Sequence, residues 1–112
     1  MPHPYHDTQA VGLDKLGRDE PLPLRAQVLR KAESLVCGVR NGEYGSPYDS
    51  HQRIAALWSA LLGIEVRPYQ AALMLALMKA SRAMTDTKQD TFDDGSAYFA
   101  LAFEILEEEK LS

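Results

Sequence analysis

The stretch SPYDSHQRIAALWSALLG, residues 46–63, decides the fold. Ser46 is a helix N-cap residue, Pro47 fits a first helical turn, and Asp49 puts a negative charge where the helix dipole favours one. Ile54, Leu57, Trp58, Leu61 and Leu62 then recur at i, i+3, i+4, i+7 and i+8, which is one face of a 3.6-residue period. Gly63 stops the run. The spacing predicts an amphipathic helix.

Downstream, Pro68 opens a second helical pattern, PYQAALMLALMKASRAM. Every residue from Ala71 to Met78 is apolar. A helix apolar on all sides is expected to be enclosed on all sides, so this one is placed in the middle of the bundle. Four short helices rarely surround a fifth side, and a dimer contact through this helix is the alternative. The last helix is expected over residues 88–111. Asp90, Asp94, Ala97, Tyr98, Leu101 and Ile105 share one broad stripe, and Phe92, Phe99, Phe103 and Leu106 make a second, roughly opposite. Asp93, Glu104 and Glu107 gather between them. Two apolar stripes on one helix strengthen the dimer reading.

Upstream, Leu24, Val28, Ala32, Leu35 and Val36 fall near one helical face over residues 24–37, and Gly38 supplies the stop. The loop VRNGEYGSP follows. Residues 1–21 are polar, contain Pro2, Pro4 and Pro21, and show no period. They are expected to be a flexible arm, with residues 22–112 as one helical domain.

Composition agrees with helices. The chain has 112 residues, with 15 Leu, 14 Ala and 4 Met against 5 Val and 3 Ile. The first three types keep most of their side-chain freedom in a helix, whereas β-branched residues favour strands. The expected architecture is all-α, a four-helix bundle-like single domain.

The net charge of −4 argues against a direct electrostatic DNA binder. A single cysteine, Cys37, excludes an internal disulfide framework. No run of eighteen apolar residues and no leader-like apolar segment occurs, so the expectation is a cytoplasmic protein of a bacterial host cell, without a membrane span. Charge is unevenly placed. Residues 22–85 carry eight bases and four acids, and residues 86–112 carry two bases and eight acids. Packing the two segments side by side would pair them.

The candidate site lies where the last two helices meet. Lys79 and Arg82 share a face beyond the all-apolar stretch, and Asp90 and Asp94 continue the stripe that holds Leu101 and Ile105. Inward carboxylates need a cation, a metal or hydrogen-bond donors. Lys79 and Arg82 answer that need as a structural ion-pair network. Alternatively, the carboxylates hold Mg²⁺ and the cations face phosphate oxygens. A second group surrounds the start of the helix at Pro47: Arg40, Tyr44, Tyr48, Asp49 and His51. Helix N-termini present free N–H groups to anions, but these residues can equally pin the loop to the bundle, and His51 borders the core face.

Two segments carry a family resemblance. The runs Arg40-Asn41-Gly42-Glu43-Tyr44-Gly45-Ser46-Pro47 and Arg53-Ile54-Ala55-Ala56-Leu57-Trp58-Ser59-Ala60-Leu61-Leu62-Gly63 resemble R-x-x-x-Y-G-D-P and R-I-A-x-L-W-S-A-x-L-G of small phage and prophage proteins. Residues 71–82 and 90–98 resemble that family's V-A-L-M-M-x-L-L-K-x-x-R and D-S-x-x-D-x-x-G-Y helices. Some members are labelled MazG-like nucleotide pyrophosphohydrolases. That resemblance implies an all-α, Mg²⁺-dependent dimer or tetramer that hydrolyses nucleoside triphosphates. It would make Asp90 and Asp94 the catalytic metal ligands, aided by Glu33 or Asp49. Lys79, Arg82 and Arg40 would face phosphates, and Tyr44 or Tyr98 would contact base or sugar. Ser46 and Ala97 depart from the family pattern, and the paired glutamates of MazG proteins are absent. The alternative is a non-enzymatic phage protein that binds a nucleotide or a host protein, for example as an inhibitor of host defence. Its acidic last segment suits a basic partner.

Overall fold

The computed structural model describes residues 21–38 and 46–111. Among the described residues the chain forms four α-helices and no strand: α1 (Leu24–Cys37), α2 (Pro47–Leu62), α3 (Pro68–Ala83) and α4 (Gln89–Leu111). The all-α expectation holds, and the helix bounds lie within a residue of those the sequence predicts. Nearly all of the expected arm, and the loop carrying Arg40 and Tyr44, lie outside the described residues.

Local chemistry fixes the start of α2 and its turn into α3. The Ser46 hydroxyl accepts the Asp49 backbone N–H at 3.1 Å. Gly63 ends α2 in the left-handed region at φ 73°, donating its N–H to the Ser59 carbonyl at 2.9 Å. Only glycine takes that conformation without strain. Ser59 then ties the turn down, because its hydroxyl lies 2.7 Å from the Ala55 carbonyl and accepts the Val66 N–H at 2.8 Å. Val66 is thereby held against Ala55 and Ala71, with Ile54 and Trp58 packed over them.

Helices α3 and α4 form an antiparallel pair. At one end Arg67 reaches Glu109 at 2.7 Å and stacks over Tyr69, 4.8 Å from the ring centroid. The hydrogen bond that Arg67 donates to the Glu109 carboxylate raises the Arg67 pKa above the ordinary arginine value, so this clamp stays charged. In the middle, Ala72 buries with Ala102 and Ile105. At the far end Lys79 meets Asp94. The α4 positions in this contact, Thr91, Gly95, Ala102, Ile105 and Glu109, advance by steps of four, three or their sum. That is the spacing that keeps one helical row against a neighbour. The row is made of small residues at its centre, which lets the helices approach closely. A Cβ added at Gly95 would already sit 3.4 Å from the Lys79 Cβ.

One expectation is corrected. The all-apolar α3 is not enclosed: Leu77 is 67% exposed, and Met74 and Met78 are open as well. The centre of the bundle is α4, which packs against α1, α2 and α3. At 23 residues it alone is long enough to do so. The core it organises is thin. Ile105 is the one large side chain fully buried among the described residues, and most other buried apolar positions are alanines.

Candidate functional site

The Lys79 ammonium lies 3.0 Å from the Asp94 carboxylate, with the lysine mostly covered and the aspartate about one-third exposed. Lys79 is in the last turns of α3, and Asp94 is in the second turn of α4. Because α4 carries glycine at position 95, the lysine stem packs on bare backbone and its ammonium reaches the neighbouring position. The pair divides two concavities. On one side Asp94 and Tyr98 line a pocket of 210 Å³ with Leu35, Val36, Ala97 and Leu101, between the end of α1 and α4. On the other, Lys79 lines an open groove of 710 Å³ between α3 and α4. That groove is apolar, walled by Leu73, Leu77, Ala80, Phe92, Gly95 and Phe99.

The other expected site residues do not join this pair. Asp90 is exposed rather than inward. It stands in the first turn of α4, beyond the level where Leu35 and Val36 meet Asp94 and Tyr98, so nothing described covers it. Arg82 is exposed and makes no ion pair among the described residues. Asp49 belongs to the cap of α2 and is exposed. His51 turns into the bundle, 5% exposed, with Nδ1 2.7 Å from the Pro47 carbonyl and Nε2 buried with no hydrogen-bond partner among the described residues. The carbonyl can only accept, so Nδ1 is the donor in this contact.

Asp93 takes the inward place expected of Asp90. It is 3% exposed, and its Oδ1 is buried with no hydrogen-bond partner among the described residues. Its one-turn relation to buried Ala97 carries that signal in the sequence, but two adjacent aspartates leave open which one points in.

These positions do not fit a Mg²⁺ centre within one chain. Hard cations need several oxygen ligands. Asp94 is committed to Lys79, Asp90 faces solvent, and Asp49 is on another helix. No group of three or more His, Cys, Asp or Glu side chains converges among the described residues. The chemistry that the geometry offers is association: a fixed ion pair flanked by a small, mostly apolar pocket edged by Asp94 and Tyr98 and by a wide apolar groove.

Residues 27–106 match a family described as a domain of unknown function (DUF6378). The chain belongs to the DUF6378 family. The matched span contains Lys79, Asp94 and Tyr98 and the wall residues of both concavities. Among curated proteins the chain is similar to the Gene 55 protein of Mycobacterium phage L5, 38% identical over 73 residues, covering 63% of this chain and 47% of the phage protein. It is also similar to the Gene 55 protein of Mycobacterium phage D29, 34% identical over 82 residues, covering 72% and 54% respectively. The chain spans about half the length of these curated relatives. No solved structure is a significant match. DUF6378 is thus a phage-related family, and no helix described in this member is long and apolar enough to cross a membrane.

Proposed function

We propose that this DUF6378 member is a helical binding module that presents the α3–α4 face to a protein partner. The open apolar groove carries the reading. Soluble chains rarely leave contiguous large apolar residues in water without using them, and here Leu77, Phe92 and Phe99 line one opening. Aromatic anchors in a concave apolar site are the usual centre of a protein interface. The net charge of −4 favours a partner with a basic rim around that centre. A host protein met during phage growth meets this description, and inhibition of a host defence component is one form such binding would take. The test is retention from an extract of phage-infected cells. A protein held by the native chain and released by Phe99→Glu supports the reading. Equal retention by both chains contradicts it.

A second reading, binding or hydrolysis of a nucleotide in the MazG manner, is favoured by one observation: Asp94, paired with Lys79, lines a pocket together with Tyr98. At 210 Å³ that pocket falls below the roughly 300 Å³ at which small-molecule sites begin, so it would take only part of a nucleotide. Thermal stabilisation by a nucleoside triphosphate that vanishes in Lys79→Met supports this reading, and turnover dependent on Mg²⁺ would extend it to hydrolysis. A melting temperature that no nucleotide moves removes it.

A further inference from the structure

We propose that the partner seated on the α3–α4 face is a second copy of this chain, packed antiparallel so that two α3–α4 pairs form one intermolecular four-helix bundle. The inference rests on the binding-module reading and names its partner. Beside the row that meets α3, α4 carries a second row shifted by one residue: Phe92, Ser96, Phe99, Phe103 and Leu106, with Lys110 beyond. It advances by alternating steps of four and three, so it is equally a seam for a helix. On α3 the row shifted in the same way, Leu73, Leu77 and Ala80, lines the other wall of the groove. Both helices therefore present a continuous seam; Leu73, Ser96 and Leu106 are partly covered within the chain, whereas Leu77 is 67%, Phe99 66% and Phe103 68% exposed.

Self-pairing explains the order of residues along the seam. With a two-fold axis at the level of Ala97 and Tyr98, small Ser96 faces Phe99 of the partner subunit. Phe92 then faces the partner's Phe103, and Lys88, flanking the row, comes opposite the partner's Glu107, a residue that Lys110 of its own chain also meets at 2.7 Å. A parallel arrangement would instead stack each phenylalanine on its own copy, Ser96 on serine, and Lys88 on lysine. Large against small and base against acid both select the antiparallel register. The area is sufficient. At roughly 200 Å² for a fully exposed large side chain, Leu77, Phe92, Phe99 and Phe103 leave on the order of 500 Å² open. Across a two-fold pair that is about 1,000 Å², the threshold for a specific interface, before the groove alanines and Leu73 are added.

Sedimentation equilibrium of the full chain tests the proposal. The expected mass is twice the 12.5 kDa of one chain. Leu77→Glu and Phe99→Glu should each return it to one chain with the helical circular dichroism unchanged, while Leu61→Glu on α2 should leave the dimer intact. In a Cys37→Ser background, the double variant Phe92→Cys/Phe103→Cys should oxidise to a covalent dimer, and Phe92→Cys alone should not. A native chain that sediments as a monomer overturns self-pairing. So does a dimer that survives both glutamate variants, and a covalent dimer of Phe92→Cys alone overturns the antiparallel register. If the native chain is monomeric, the extract comparison with Phe99→Glu still decides, on its own, whether the face binds another protein.

Discussion

Two rows of α4, one residue apart in sequence, behave in opposite ways. The inner row of Thr91, Gly95, Ala102, Ile105 and Glu109 meets α3. The outer row of Phe92, Ser96, Phe99, Phe103 and Leu106 faces the groove or solvent, and by composition it is the more hydrophobic of the two. The contrast teaches that burial inside this chain follows close approach rather than hydrophobicity. Small side chains bring α3 and α4 together, and the large ones are left for something outside the fold.

The largest predicted effect tests the inner row. Ile105→Ala should lower unfolding free energy by about 2–5 kcal/mol, because it empties the one large fully buried position. Under monomeric conditions Phe103→Ala should change it by less than about 0.5 kcal/mol. Urea unfolding of the two variants reads both, and equal losses would break the distinction between the rows.

A smaller effect probes the buried carboxylate beside them. Asp93→Asn should raise stability by on the order of 1 kcal/mol, since it removes a charge that has no partner among the described residues. A loss instead would show that the carboxylate is held by a group outside them. Gly95→Ala measures how much room that close approach leaves. The new methyl meets Lys79 at ordinary contact distance, so the gain in helix propensity, about 0.5–1 kcal/mol, should come through in the unfolding midpoint. The smallest change is expected for Lys79→Met. Asp94 is partly exposed, so screening limits the ion pair to a few tenths of a kcal/mol, up to about 1. A much larger loss by the same measurement would mean that the pair organises the end of the bundle.

The sequence carried the helices well because each has its own punctuation: Ser46 and Pro47 before α2, Gly63 after it, Pro68 at α3, Gly38 after α1. It also carried the second stripe of α4 and, from it, the expectation of a partner. What it could not carry was phase at the start of α4. Asp90, Asp93 and Asp94 sit within five residues, and which of them turns inward depends on how far α1 extends along α4, a tertiary quantity. Likewise the run of apolar residues in α3 reads as a central helix, but centrality was settled by length, and α4 is longer. The Lys79–Asp94 contact was legible from spacing alone. The loss of Asp90 and Arg82 from it was not.

All three phenylalanines of the chain lie in the outer row, so fluorine NMR of protein labelled with 4-fluorophenylalanine reports on that face and nothing else. Over the micromolar to submillimolar range, where modest protein contacts form, the account predicts three resonances that shift or broaden together as protein concentration rises. In Leu77→Glu they should stay narrow and fixed. Three sharp, concentration-independent resonances in the native chain, unmoved also by extract from infected cells, would contradict the claim that this face exists to be covered.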